Sequence, residues 1–218
     1  MQRIRHTPLL IIEFLLLTVG MPLLLCWVMP LRYLLPTLWL TALYSYIVLR
    51  RRAPEVLAQC WKRHALTAAH IRPILLRFLG YAALLTLLTL WLEPRSLFGF
   101  VRENPGFWLL VMVAYPLFSV IPQEIIFRTF FFARYKPLFQ TTGAMILASA
   151  FMFGFAHILF QNWVAPLLCV AGGVLFARTY ARHHSLWLVS LEHALYGDFI
   201  FTIGLGRYFY HGSVAAAL

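Results

Sequence analysis

Apolar residues run along the chain in seven long blocks, at 8–28, 33–49, 74–92, 107–134, 143–160, 163–182 and 185–204. Polar and charged residues collect in the short breaks between them. Each block is near the ~20 residues that carry an α-helix across a bilayer. Pro30, Pro36, Pro105, Pro137 and Pro166 fall near block ends and punctuate the pattern. The pattern predicts an all-α polytopic transmembrane helical bundle of about seven spans. There is no internal repeat and no sign of a second domain. The chain divides into N-terminal transmembrane helices with a basic cytoplasmic loop (1–106), a core carrying a polar site (107–204) and a short tail (205–218).

The first block follows MQRIRHTP, which has the outline of a signal peptide. Its apolar run is too long for a signal h-region and no A-x-A-like site follows, so it is expected to be a retained first span. Composition agrees with the block pattern: 62% of residues are hydrophobic and 11% charged. A soluble domain of this size would leave much of that apolar mass in water.

The net charge of +11 invites comparison with nucleic-acid binders. The basic residues instead sit in alternate breaks: Arg3 and Arg5, then Arg50–Arg52 with Lys62, Arg63 and Arg72, then Arg134 and Lys136, then Arg178 and Arg182. That is the signature of membrane topology, and no nucleic-acid partner is expected. It predicts a cytoplasmic N-terminus and an external C-terminus in a multi-pass integral membrane protein, with the bacterial inner membrane as the expected location. The break at 50–73 is long enough for an amphipathic helix on the anionic inner leaflet. Cys26, Cys60 and Cys169 are scattered and form no C-x-x-C pair, so neither a disulfide framework nor a cysteine zinc site is predicted.

Against this background a few polar residues stand out. The chain has seven acids, and Glu13, Glu124, Glu192 and Asp198 fall inside blocks, as do His157 and His193. A charge at the bilayer centre costs ~3 kcal/mol or more and turns to the bundle interior, where it marks a candidate functional site. Counting from the basic ends of the spans, Glu124, His157 and His193 lie at depths of roughly 18, 21 and 12 Å. Three helices can therefore bring these groups into one layer. Two histidines and a carboxylate suffice for an open zinc site or for general-base chemistry on water. The competing view is structural, since a lone buried histidine is more often a hydrogen-bonded core residue than a ligand. Likewise Glu124 and Arg128, at i and i+4, can neutralise each other as a helical ion pair. That accounts for Arg128 better than for Glu124, because a buried pair is a constraint rather than a source of stability. Glu13 is expected to pair locally. Glu192 points about 100° away from His193 around its helix. AGGVLFA, at 171–177, offers small residues for close helix packing.

QEIIFR at 123–128, FGFAH at 153–157 and EHALYGD at 192–198 follow one another on successive late blocks. Together they resemble the CAAX-protease and bacteriocin-processing (Abi) family of intramembrane proteases, whose pattern is E-E-x-x-x-R, F-x-x-x-H and H-x-x-x-N or H-x-x-x-D. The resemblance covers about residues 107–204. It implies a helical bundle with a water-accessible cavity and hydrolysis of a peptide bond in a membrane-associated peptide or protein. It also implies a glutamate that activates water and histidines that bind a metal, zinc above all, or steady the oxyanion. Carried over by position, Glu124, His157 and His193 are the expected catalytic residues, with His157 and His193 the metal candidates. Gln123, Arg128, Phe153 and Asp198 are expected to support them.

Two positions depart from the family pattern. Gln123 stands where the first Glu is expected, and an amide cannot serve as a base. Four residues after His193 comes Gly197, with Asp198 one place later, which a local bulge would bring round. Glu124 is then the expected base and Gln123 an oxyanion donor. Gln123 favours the alternative, a non-catalytic membrane binding or immunity protein that keeps the family cavity. A small transporter with a midplane site would call for inverted repeats, and none is visible.

The charge pattern sets the first test. A cysteine placed at Lys62 should be labelled by an impermeant thiol reagent only after cells are opened. Labelling in intact cells would contradict the orientation.

Overall fold

The computed structural model describes residues 7–28 and 31–209. Arg3, Arg5 and the end of the tail, 210–218, lie outside the described residues. Among the described residues there is helix and no strand. Nine helical rods follow in order: α1 (7–28), α2 (Leu34–Arg52), α3 (Pro54–Cys60), α4 (Ala68–Leu92), α5 (Gly99–Glu103), α6 (Pro105–Arg134), α7 (Thr142–Phe160), α8 (Val164–His183) and α9 (Leu186–Thr202).

Five of them, α1, α4, α6, α7 and α8, are long and apolar enough to cross a membrane. Their outer faces stay apolar where no protein covers them. Leu40, Leu79, Leu87, Val113, Leu147 and Leu167 are each more than 60% exposed. Contiguous bare apolar surface of this kind is what lipid solvates. The chain is an integral membrane protein with an all-α, polytopic fold. The two other expected spans are helices at the expected places. α9 has 17 residues, about 25 Å of rise, and is shorter than the hydrocarbon core. Its buried residues lie on every side, from Leu188 and Val189 to Glu192, His193 and Tyr196, so it runs inside the bundle. α2 ends in Arg50, Arg51 and Arg52, which bring charge into its last turn.

The break at 50–73 carries the short helix α3 rather than a long surface helix. It is tied to the bundle: Cys60 is buried, and Trp187 Nε1 donates to the Trp61 carbonyl at 2.9 Å. Glu13 does pair, but across the chain, with Arg134 Nε and Nη2 donating at 3.0 and 2.6 Å. One apolar core joins α1 to the late helices. Leu10, Leu49 and Cys60 share it with Phe130–Phe132, Phe153, Phe176 and Tyr196.

The small residues act as the sequence suggested. A Cβ at Gly173 would stand 3.0 Å from the Ala150 backbone, and one at Gly154 would stand 2.3 Å from Val170 Cγ2. α7 and α8 therefore touch through their backbones, which small residues alone permit. Gly154→Ala should lower thermal stability in detergent by about 1–3 kcal/mol, the usual cost of overpacking. An unchanged midpoint would show that this contact is looser than described.

Candidate active site

α6 is not a regular helix where the site lies. Pro116 and Pro122 sit in its middle and cannot donate backbone hydrogen bonds. The ladder opens into two π turns, Pro116–Val120 and Ile125–Phe130, flanking the short α-helical stretch Ile121–Glu124. Such bulges rephase side chains and recur at functional sites. Between them, two neighbours about 100° apart on the helix face different ways. Gln123 lines an internal cavity, while Glu124 turns away from it into the protein.

Glu124 has no exposed surface. His193 Nδ1 lies 2.8 Å from its Oε1, and Arg128 Nε lies 3.3 Å from its Oε2. Arg128 is equally buried. Its Nη1 donates to Ser149 Oγ at 2.9 Å, and Ser149 Oγ donates to the Phe127 carbonyl at 2.7 Å. Its guanidinium lies 4.9 Å from the centre of the Phe153 ring and 5.9 Å from that of Phe176, whose π faces attract a desolvated cation. Because a carboxylate can only accept, His193 carries its proton on Nδ1. Phe176 then stacks on the imidazole at 4.6 Å and 19°, fixing its plane.

The other ring nitrogen of His193, Nε2, is 3.0 Å from Tyr115 Oη. In the neutral ring that nitrogen accepts, and the phenol donates. A chain of four side chains thus runs Tyr115–His193–Glu124–Arg128. Tyr115 fits only because of Gly197. A Cβ at 197 would come within 2.3 Å of Tyr115 Oη and Cε1. The phenol fills the space beside His193 that opens where the family pattern has Asn or Asp. α9 stays regular through this point, so no bulge turns Asp198 toward His193. Asp198 does not line the cavity, and its Oδ1 is buried without a hydrogen-bond partner.

His157 lies on the same cavity, in the 3-10 turn Ala156–Phe160 that ends α7. Its Nδ1 is 2.7 Å from the Phe153 carbonyl. That carbonyl can only accept, so Nδ1 holds the proton and Nε2 keeps a lone pair. Phe153 touches both histidines, with ring centres 4.7 Å from His157 and 5.4 Å from His193. Gln123 Nε2 donates to Ser119 Oγ at 2.7 Å, and its Oε1 has no partner. Exchanging the amide ends lets Ser119 donate instead and leaves the NH2 group free to donate elsewhere. The cavity measures about 470 Å³ and its walls are mostly apolar, with Leu34, Leu110 and Phe118 toward the outside.

Of the expected residues, Glu124, Arg128 and His193 are therefore in contact. His157 and Gln123 share the cavity with His193, Phe153 packs between these groups, and Asp198 stays apart. A zinc site is not formed by this arrangement. His193 uses both nitrogens on protein partners, and no three His, Cys, Asp or Glu side chains converge among the described residues. Tyr115, Ser119, Ser149 and Phe176 were not singled out by sequence. Tyr115 and Ser119 flank Pro116, and a proline inside an expected span was the available signal.

A polar chain buried in an apolar bundle beside a cavity marks a candidate functional site. Residues 105–197, a stretch that holds every residue of the site, match the family model described as type II CAAX prenyl endopeptidase Rce1-like. No curated protein and no solved structure matches the chain.

The packing of Tyr115 against Gly197 can be tested by a double-mutant cycle. Gly197→Ala should cost about 1–3 kcal/mol of stability in the native background. In a Tyr115→Leu background it should cost at least about 1 kcal/mol less. Additive effects would place the phenol elsewhere.

Proposed function

We propose that this protein is an intramembrane endopeptidase that hydrolyses a peptide bond in a membrane-associated peptide or protein. The observation that carries the reading is the pair of histidines on one buried cavity, each with its proton position fixed by an acceptor at Nδ1. The family match supports the reaction class. The apolar walls suit a substrate that carries a lipid-like or apolar segment beside the scissile bond.

The geometry supports a division of labour different from a glutamate base. Glu124 is sealed from the cavity, so it acts through His193 as a positioning residue. His157 Nε2 is the free acceptor facing the cavity, and it takes the proton from water as the water oxygen adds to the carbonyl carbon. The oxyanion forms near the Gln123 amide and the Tyr115 hydroxyl. As the charge develops, Tyr115 turns its O–H from His193 Nε2 to the oxyanion, while His193, held by Glu124 at Nδ1, keeps the phenol in position. The C–N bond then breaks, and the leaving amine takes its proton from His157. Arg128 holds Glu124 in place.

The second reading, a non-catalytic binding or immunity protein, rests on Gln123, which removes a carboxylate from the cavity wall. One experiment separates the two. The reconstituted protein is given a prenylated peptide with a CAAX end, its unlipidated counterpart and an unrelated membrane peptide, and products are read by mass spectrometry. At least one should be hydrolysed, and His157→Gln should lower kcat at least ~10²-fold with the fold intact. Glu124→Gln should lower kcat by a similar ~10²-fold with KM little changed, because the loss is in the transition state. Binding without cleavage, or full cleavage by His157→Gln, would overturn the proposal.

A further inference from the structure

A second cavity, about 500 Å³, lies between α4, α7 and α8 at the ends expected to face the cytoplasm. Its rim is basic. Arg77, Arg178 and Arg182 line it with His70 and His183, and no acidic side chain does. Arg77 is held by Glu192, whose carboxylate accepts from Nη2 at 2.9 Å from behind the wall. Arg178 and Arg182 have no carboxylate partner among the described residues. The two histidine rings touch, 4.3 Å apart between centres and tilted by 48°. Thr142 and Thr179 add hydroxyls. One turn deeper than Thr142 and Arg178, the wall becomes apolar at Ile146 and Leu175.

We infer that this groove is a binding site for one anionic phospholipid. The phosphate of the headgroup meets Arg178 and Arg182, and the acyl region lies along Ile146 and Leu175. Convergent guanidinium groups without counter-ions attract a phosphate, and arginine is the side chain best shaped to hold one. Basic pockets between membrane helices on the cytoplasmic side take anionic headgroups. A free phosphate would satisfy the arginines and leave the apolar wall bare, so the wall points to a lipid. The inference is independent of the proposed hydrolysis, since no residue of the groove belongs to that site.

The test uses the full chain in detergent, with binding read by native mass spectrometry and by thermal shift. The probes are phosphatidylglycerol, phosphatidylcholine and inorganic phosphate. Phosphatidylglycerol should bind saturably and raise the unfolding midpoint. Arg178→Gln with Arg182→Gln should weaken that binding roughly 30-fold, at about one arginine's worth of surface attraction each. Both side chains are exposed, so the fold should survive, and lipid-free unfolding checks this. Arg50→Gln with Arg51→Gln removes the same charge outside the groove and should change binding by less than about threefold. An equal loss in that control would reduce the effect to general attraction. An equal shift with phosphatidylcholine or with inorganic phosphate alone would overturn the lipid assignment.

Discussion

The ion pair of Glu124 and Arg128 is the constraint on which the late helices depend. Both side chains are fully buried, in a protein whose exterior is lipid. Neither can be left alone there: removing one partner of a buried pair costs about 3–5 kcal/mol, because the survivor is uncompensated. The pair is completed by groups from three other helices. His193 comes from α9, Ser149 and Phe153 from α7, and Phe176 from α8. Each contact fixes the rotation of its helix. The polar chain therefore sets the register of the bundle, and the same register points His193 and His157 at the cavity.

The helices are irregular where this chain needs them to be. Between the two π turns of α6, Gln123 faces the cavity and Glu124 the interior. The 3-10 turn at the end of α7 places His157 beside Phe153. Gly197 makes room for a phenol that reaches His193 from a helix distant in sequence. The cavity wall thus carries an amide at 123 and a hydroxyl at 115.

Much of this could be read before any coordinates. Block length and loop charge gave the helical membrane fold, since a bilayer allows few alternatives. Buried charge in an apolar run marked Glu124, Arg128, His157 and His193, because such charge is costly wherever it occurs. What pattern could not supply was direction. An i, i+4 reading gives Glu124 its partner on its own helix, Arg128, and says nothing of His193 on another. Tyr115 was invisible because aromatic residues are ordinary in membrane spans, and its role comes from an empty space across the bundle. Asp198 was drawn toward the site by a bulge that α9 does not make. α9 shows the same limit: apolarity does not distinguish a lipid-facing helix from one enclosed by its neighbours.

The central claim is that the two histidines have divided roles set by their proton positions. NMR of the histidine ring nitrogens, in the folded protein in lipid nanodiscs, tests it most directly. The account predicts that His157 carries its proton on Nδ1 and leaves Nε2 bare, and that the Nδ1 proton of His193 is shared with a carboxylate and disappears as such in Glu124→Gln. A bare Nδ1 on His157, or a His193 signal indifferent to Glu124, would contradict it.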